Sequence, residues 1–171
     1  MPRFFEGQLS TPKGRFAVCV ARFNSFITEQ LLAGAVGAFL RHGVPDDGLD
    51  VFRVPGAFEL PSLARRLVER GRYTGIVCLG AVIRGQTPHF EYVSAEVARG
   101  IASVALEAPC PVIFGVLTCD TVEQAIERSG VKAGNKGAEA AAACIEMADL
   151  LAKVSQPAGE GRIAAVQGKK K

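Results

Sequence analysis

Short apolar runs alternate along the chain with longer stretches in which apolar residues return every three or four positions. The runs rich in β-branched residues predict strands at Phe16–Val20, Leu49–Val54, Ile76–Leu79 continuing to Ile83, and Val112–Leu117. The periodic stretches predict helices from Phe26 to Arg41, Leu60 to Glu69, Phe90 to Leu106 and Ala138 to Lys153. Strands that are nearly apolar throughout and alternate with helices imply a parallel sheet covered on both faces, because right-handed crossovers place helices on either side. The expected fold class is therefore α/β, a doubly wound, three-layer domain on a four-stranded parallel sheet.

Local punctuation agrees with this segmentation. Gly43 and Gly71 sit where helices should end, Thr87-Pro88 reads as an N-cap followed by a proline at the first helical position, and Asp120 with Glu123 reads as a capping box. Phe4 to Ser10 predict an extra extended segment, cut off from the first strand by Pro12 and Gly14, whose expected partner is a neighbouring subunit. From Ser155 the apolar periodicity stops, so the domain is expected over 1–154 and a disordered basic tail over 155–171.

A chain of 171 residues with 49% apolar content can bury one core without disulfides or metals. No apolar run reaches the roughly 18–20 residues that span a bilayer, and Met1-Pro2-Arg3-Phe4-Phe5-Glu6 lacks the apolar stretch of a signal peptide. A cytoplasmic protein with no membrane partner is expected. Cys19, Cys78, Cys110, Cys119 and Cys144 are odd in number and lack zinc spacing, which points to reduced structural thiols and no metal. The net charge of +3 owes part of its excess to Lys169-Lys170-Lys171, so no nucleic-acid partner is expected.

Ligands of open parallel sheets bind beyond the carboxyl ends of the strands. Gly85-Gln86-Thr87 leads into a helix N-terminus, whose free N–H groups and positive dipole end suit a phosphate, or else forms an ordinary cap. His89 falls in the first turn of that helix, where the dipole favours neutral imidazole; it is a candidate general base, or a capping or surface histidine. His42, at a helix C-terminus, suits the second role. Phe23 beside Asn24 and Phe58 beside Glu59 offer stacking plus hydrogen bonding to a planar heterocycle, or two rings folded under their loops. Arg128 and Lys136 flank a glycine-rich connection and are candidates for phosphate or carbonyl contacts, or solvated surface cations.

Taken together, Arg22-Phe23-Asn24, Val54-Pro55-Gly56-Ala57-Phe58-Glu59-Leu60-Pro61, Gly80-Ala81-Val82-Ile83-Arg84-Gly85 with Thr87-Pro88-His89-Phe90, Phe114-Gly115-Val116-Leu117-Thr118, Glu123 to Arg128 and Gly134-Asn135-Lys136-Gly137 closely resemble the 6,7-dimethyl-8-ribityllumazine synthase family. The resemblance runs from about Phe4 to Lys153. It implies a flavodoxin-like fold and the joining of 5-amino-6-ribitylamino-2,4-pyrimidinedione to 3,4-dihydroxy-2-butanone 4-phosphate, without cofactor or metal. It further implies that Phe23 stacks on the pyrimidine, that Asn24, Ala57, Phe58 and Glu59 hold the ribityl chain, and that the Val82 and Ile83 backbone reads the ring edge. Gly85, Gln86 and Thr87 would cradle phosphate with Arg128, His89 would move protons, and Lys136 would contact the ring carbonyl region. In the family the positions of Phe114, Arg128 and Lys136 come from the adjacent chain of a pentamer. The short Lys132–Gly137 connection resembles that of members forming sixty-subunit icosahedral shells, and riboflavin synthase is a candidate partner.

Two other readings use parts of the same pattern. A non-catalytic flavodoxin-like module binding flavin or lumazine needs the aromatic and phosphate features but not His89. A shell-forming paralogue would assemble without turnover.

Overall fold

The computed structural model describes residues 2–10 and 13–155, and the tail expected from the sequence lies, beyond Ser155, outside the described residues. Its central sheet contains β1 (Phe16–Ala21), β2 (Leu49–Val54), β3 (Gly75–Ile83) and β4 (Val112–Cys119), all parallel, in the order β2-β1-β3-β4. The inner strands β1 and β3 are buried almost throughout. The edge strands β2 and β4 carry the polar or exposed positions Asp50, Arg53, Phe114 and Thr118, as burial on both faces of the inner strands alone requires.

Helices α1 (Ser25–Arg41), α2 (Leu60–Glu69), α3 (His89–Glu107), α4 (Val122–Glu127) and α5 (Lys136–Ser155) complete the fold. Two cores separate the layers. Phe16, Val18, Val20, Val77 and Leu79 pack toward α1 and α5, whereas Ala17, Cys19, Ile76 and Cys78 pack toward α2 and α3. The alternation of side chains across the strands makes this division. All five cysteines are free, and burial raises the pKa of Cys144 and Cys110. The Cys78 thiol is raised first by its hydrogen bond with the Cys19 thiol and then by burial, so it stays protonated.

Local details depart from the sequence expectations at several points. Pro88, at φ −69° and ψ 4°, is itself the cap residue of α3, and no side chain caps that helix. The Thr87 hydroxyl is thereby left out of the cap. Asp120 is not half of a capping box; Thr121 caps α4 by accepting from the Gln124 N–H, while Gln124 Oε1 accepts from the Asp120 N–H. The Asp120 carboxylate is taken by Arg84 instead of capping the helix. Between α4 and α5 lies a small antiparallel hairpin, β5 (Ser129–Val131) with β6 (Gly134–Asn135), too short for hydrophobic periodicity to reveal.

The segment from Phe4 to Ser10 forms no strand within the chain. It lies against α5, where the Gln8 N–H donates to Asp149 and Lys153 Nζ donates to the Glu6 carbonyl, with Phe4 and Phe5 exposed.

Candidate active site

The strand order reverses between β1 and β3: the chain leaves β1 toward β2, then returns across β1 to continue as β3 and β4. A crevice opens at such a switch point because the two flanking connections depart to opposite faces. Here it is a cleft of about 770 Å³. From the β1 end come Phe23 and Asn24; from the β2 end, Ala57, Phe58 and Glu59; from the β3 end, Val82, Ile83, Gly85, Thr87 and His89. Residues far apart in sequence thus line one cavity.

The rings of Phe23 and Phe58 are 71% and 58% exposed, so neither is folded under its loop. Asn24 explains how the β1 corner is held. It adopts φ 59°, a left-handed conformation that asparagine tolerates better than most residues. Its carbonyl accepts the first amides of α1, from Ile27 and Thr28, while its side-chain Nδ2 donates to the Ala81 carbonyl at 2.9 Å. One residue therefore turns the chain and ties β1 to β3 across the switch point. At the β2 corner Glu59 Oε2 accepts from the Gly56 N–H at 2.9 Å, which closes the turn presenting Phe58.

The third corner is different in kind. Gly85, Gln86 and Thr87 are exposed and precede α3, a helix long enough for its N-terminal N–H groups and dipole to attract an anion. A Cβ at Gly85 would meet nothing within 4 Å, so space rather than crowding surrounds this loop. The His89 ring lines the cleft beside Thr87. Gln86 does not line it, and its side chain has no place among the groups assembled there.

Phe114, Arg128 and Lys136 lie elsewhere, in a separate pocket of about 410 Å³ that also includes Thr118, Cys119 and Glu139. The two cavities share no lining residue. Arg128 ends α4 and donates from Nη1 to the Gln124 carbonyl at 2.9 Å, and the Lys136 N–H donates to the Arg128 carbonyl at 2.9 Å. Lys136 Nζ pairs with Glu139 at 2.6 Å. Asn135 anchors the intervening hairpin by donating to the Gln30 and Ser129 carbonyls. This second group is thus held in place within the chain, and a groove lined by Phe90, Phe114 and Thr118 lies between it and the cleft with His89.

Sequence reasoning missed Tyr92, Val93 and Glu96, which follow His89 at the spacing of one helix face and line the cleft. Counting three, four and seven positions from His89 would have found them. Among the described residues no group of His, Cys, Asp and Glu is arranged to hold a metal, and no helix is long and apolar enough to cross a membrane.

A family model described as 6,7-dimethyl-8-ribityllumazine synthase matches residues 13–152. The protein of that name from Myxococcus xanthus (strain DK1622) is 61% identical over 164 residues, covering 93% of this chain and 98% of its own. Its namesake from Anaeromyxobacter dehalogenans (strain 2CP-C) is 62% identical over 152 residues, covering 89% and 94% respectively. With a family model matched over residues 13–152 and relatives 61% and 62% identical across most of both chains, the chain belongs to the 6,7-dimethyl-8-ribityllumazine synthase family.

Proposed function

We propose that this chain condenses 5-amino-6-ribitylamino-2,4-pyrimidinedione with 3,4-dihydroxy-2-butanone 4-phosphate, releasing phosphate and water, as the penultimate step of riboflavin biosynthesis. The observation that carries the reading is the convergence of Phe23, Asn24, Phe58, Glu59, Thr87 and His89, from three separate corners, on one cleft. Phe23 stacks on the pyrimidine, and the Val82 and Ile83 backbone reads its edge. Asn24 and the Ala57-Phe58-Glu59 turn hold the ribityl chain. The backbone N–H groups of Gly85, Gln86 and Thr87 cradle the phosphate at the α3 N-terminus, with the Gln86 side chain outside the cleft. The substrate amine is already a competent nucleophile, so the protein chiefly orients both reactants and steadies the departing phosphate. His89 takes and returns protons during imine formation and phosphate elimination.

Separation of the two cavities within one chain favours a site completed by a neighbour. In a ring of five copies, Phe114, Arg128 and Lys136 of one chain close the cleft of the next, with Arg128 reaching the phosphate and Lys136 the ring carbonyl. The exposed Phe4 to Ser10 segment adds to the neighbouring subunit. We extend the reading to a sixty-subunit hollow shell in the cytoplasm, with riboflavin synthase as the partner that uses the product.

Mixing purified protein with both substrates should generate the lumazine chromophore, with light scattering on the same sample reporting the assembly. Assembly without chromophore would instead mark a shell-forming paralogue. Binding of added lumazine without its formation would mark a non-catalytic module.

A further inference from the structure

The loop 84–88 that leads into α3 is exposed and has few backbone anchors. The Arg84 N–H donates to the Cys119 carbonyl at 2.9 Å before it, and the Glu91 N–H donates to the Pro88 carbonyl at 3.0 Å after it. A single side chain joins the two ends. Arg84 Nη1 donates to Glu91 Oε1 at 2.8 Å, its Nε donates to Asp120 Oδ1 at 2.8 Å, and its guanidinium carbon lies 4.4 Å from the centroid of the Phe90 ring. Phe90 and Glu91 belong to the first turn of α3, next to His89, and Asp120 is the residue after β4. The planar fork of arginine can serve two carboxylates in different directions while stacking on a ring, which an ammonium cannot.

We propose that Arg84 is a positioning residue that clamps the anion loop, fixing the Gly85–Thr87 N–H groups and the His89 ring relative to the end of β4. The inference rests on reading that loop as the phosphate cradle. Arg84 itself does not line the cleft; it borders a shallow groove on the other side of α3 with Ser94, Phe114 and Thr118. Its charge faces two carboxylates, which raise its pKa further, Asp120 most and then Glu91. The dianion of the substrate is accordingly met by the loop amides and by Arg128, and Arg84 acts through the geometry it imposes.

Two variants separate this role from direct phosphate binding. Glu91→Gln combined with Asp120→Asn keeps the Arg84 cation and removes its anchors, and Arg84→Lys keeps the charge and removes the fork. For each, KM is measured for both substrates, and inorganic phosphate is titrated calorimetrically into the assembled protein. Clamping predicts that both variants weaken phosphate and raise KM for the phosphorylated substrate about tenfold, the loss of roughly one hydrogen bond to a charged group, with KM for the pyrimidinedione unchanged. Tighter phosphate binding in the double variant, as removal of two negative charges beside a direct cationic ligand requires, would overturn the proposal; so would unaltered phosphate binding in both. Glu91→Gln alone, at an exposed position, replaces the double variant if that one fails to assemble. If the wild-type protein forms no lumazine, the catalytic reading falls and the phosphate titration still decides the clamp.

Discussion

At the amino end of the sheet, Arg15 donates to Asp50 Oδ1 at 2.7 Å and the Tyr73 hydroxyl donates to Asp50 Oδ2 at 2.8 Å, with the Phe52 ring edge-on to Tyr73. At the carboxyl end, Phe23 and Phe58 face solvent, and Gly85, Gln86 and Thr87 stand exposed before a helix without a side-chain cap. At the first end the Asp50 carboxylate is met from two sides inside the chain, and among the described residues there Arg15 Nε alone is buried without a partner. At the second, aromatic faces and backbone donors are held in place yet left open, the condition a binding site needs, because a donor satisfied internally has little to offer a ligand. The contrast assigns stability to one end and recognition to the other, and substitutions at each should move different measurements.

The largest effect is expected where the frame itself is closed. A Cβ at Gly137 would lie 2.0 Å from the Leu31 carbonyl oxygen, backbone against backbone, at the crossing of α1 with the first turn of α5. Gly137→Ala should therefore cost on the order of 4 kcal/mol, the range of disrupted packing, and lower the urea midpoint sharply. Because Lys136 begins that turn, a variant that lost activity at unchanged stability would contradict the division between frame and site.

His89→Ala should do the reverse, slowing lumazine formation about a hundredfold, the usual contribution of a positioned proton carrier, at an unchanged thermal midpoint. The loss should be incomplete, since orientation of the two reactants survives. Unchanged product formation would remove His89 from the chemistry.

A smaller change is expected from Tyr73→Phe, which deletes one partner of Asp50. It should cost about 1 kcal/mol and about 3 °C in thermal midpoint, with turnover intact; a fall in kcat would mean that the amino end communicates with the cleft.

The mildest test is pH. The Arg15 guanidinium, and then the Tyr73 hydroxyl, hold the Asp50 carboxyl below its ordinary range, and Arg53 and Lys153 do the same for Glu29 and Asp149. A lowered folded-state value means that the unfolded chain takes up the proton first. The stabilisation is complete above the ordinary carboxylate range and is lost as pH falls through the folded-state values, that is, below about pH 4. Urea midpoints measured from about pH 7 downward should hold steady and then drop, and Asp50→Asn should make the acid limb shallower. An equally steep limb in that variant would show that Asp50 contributes nothing.

Much of this molecule was legible before any coordinate. The strand at Leu49–Val54 and the helix at Leu60–Glu69 fall where apolar spacing placed them, and the other main elements extend past their predicted ends by a few residues at most. Periodicity reads such elements well because burial on one or both faces is written into consecutive residues. The helix starts were read less well. The Pro88 cap, the Thr121–Gln124 pair and the hairpin after Arg128 depend on hydrogen-bond competition over a few residues, which composition does not resolve.

The sequence alone determined the layered α/β fold, the loops at which chemistry was to be sought and the family resemblance, because each is carried by local pattern or by residue identity at close spacing. Only the tertiary structure decided which of the candidate residues share a cavity. Strand order brings the ends of β1, β2 and β3 to one cleft, while β4, α4 and the start of α5 turn Phe114, Arg128 and Lys136 to another surface. It also decided that Arg84 bridges to Asp120 rather than entering the cleft. The physical reason is that side-chain direction and the meeting of distant loops follow from the packing of the sheet, and no stretch of sequence contains both partners.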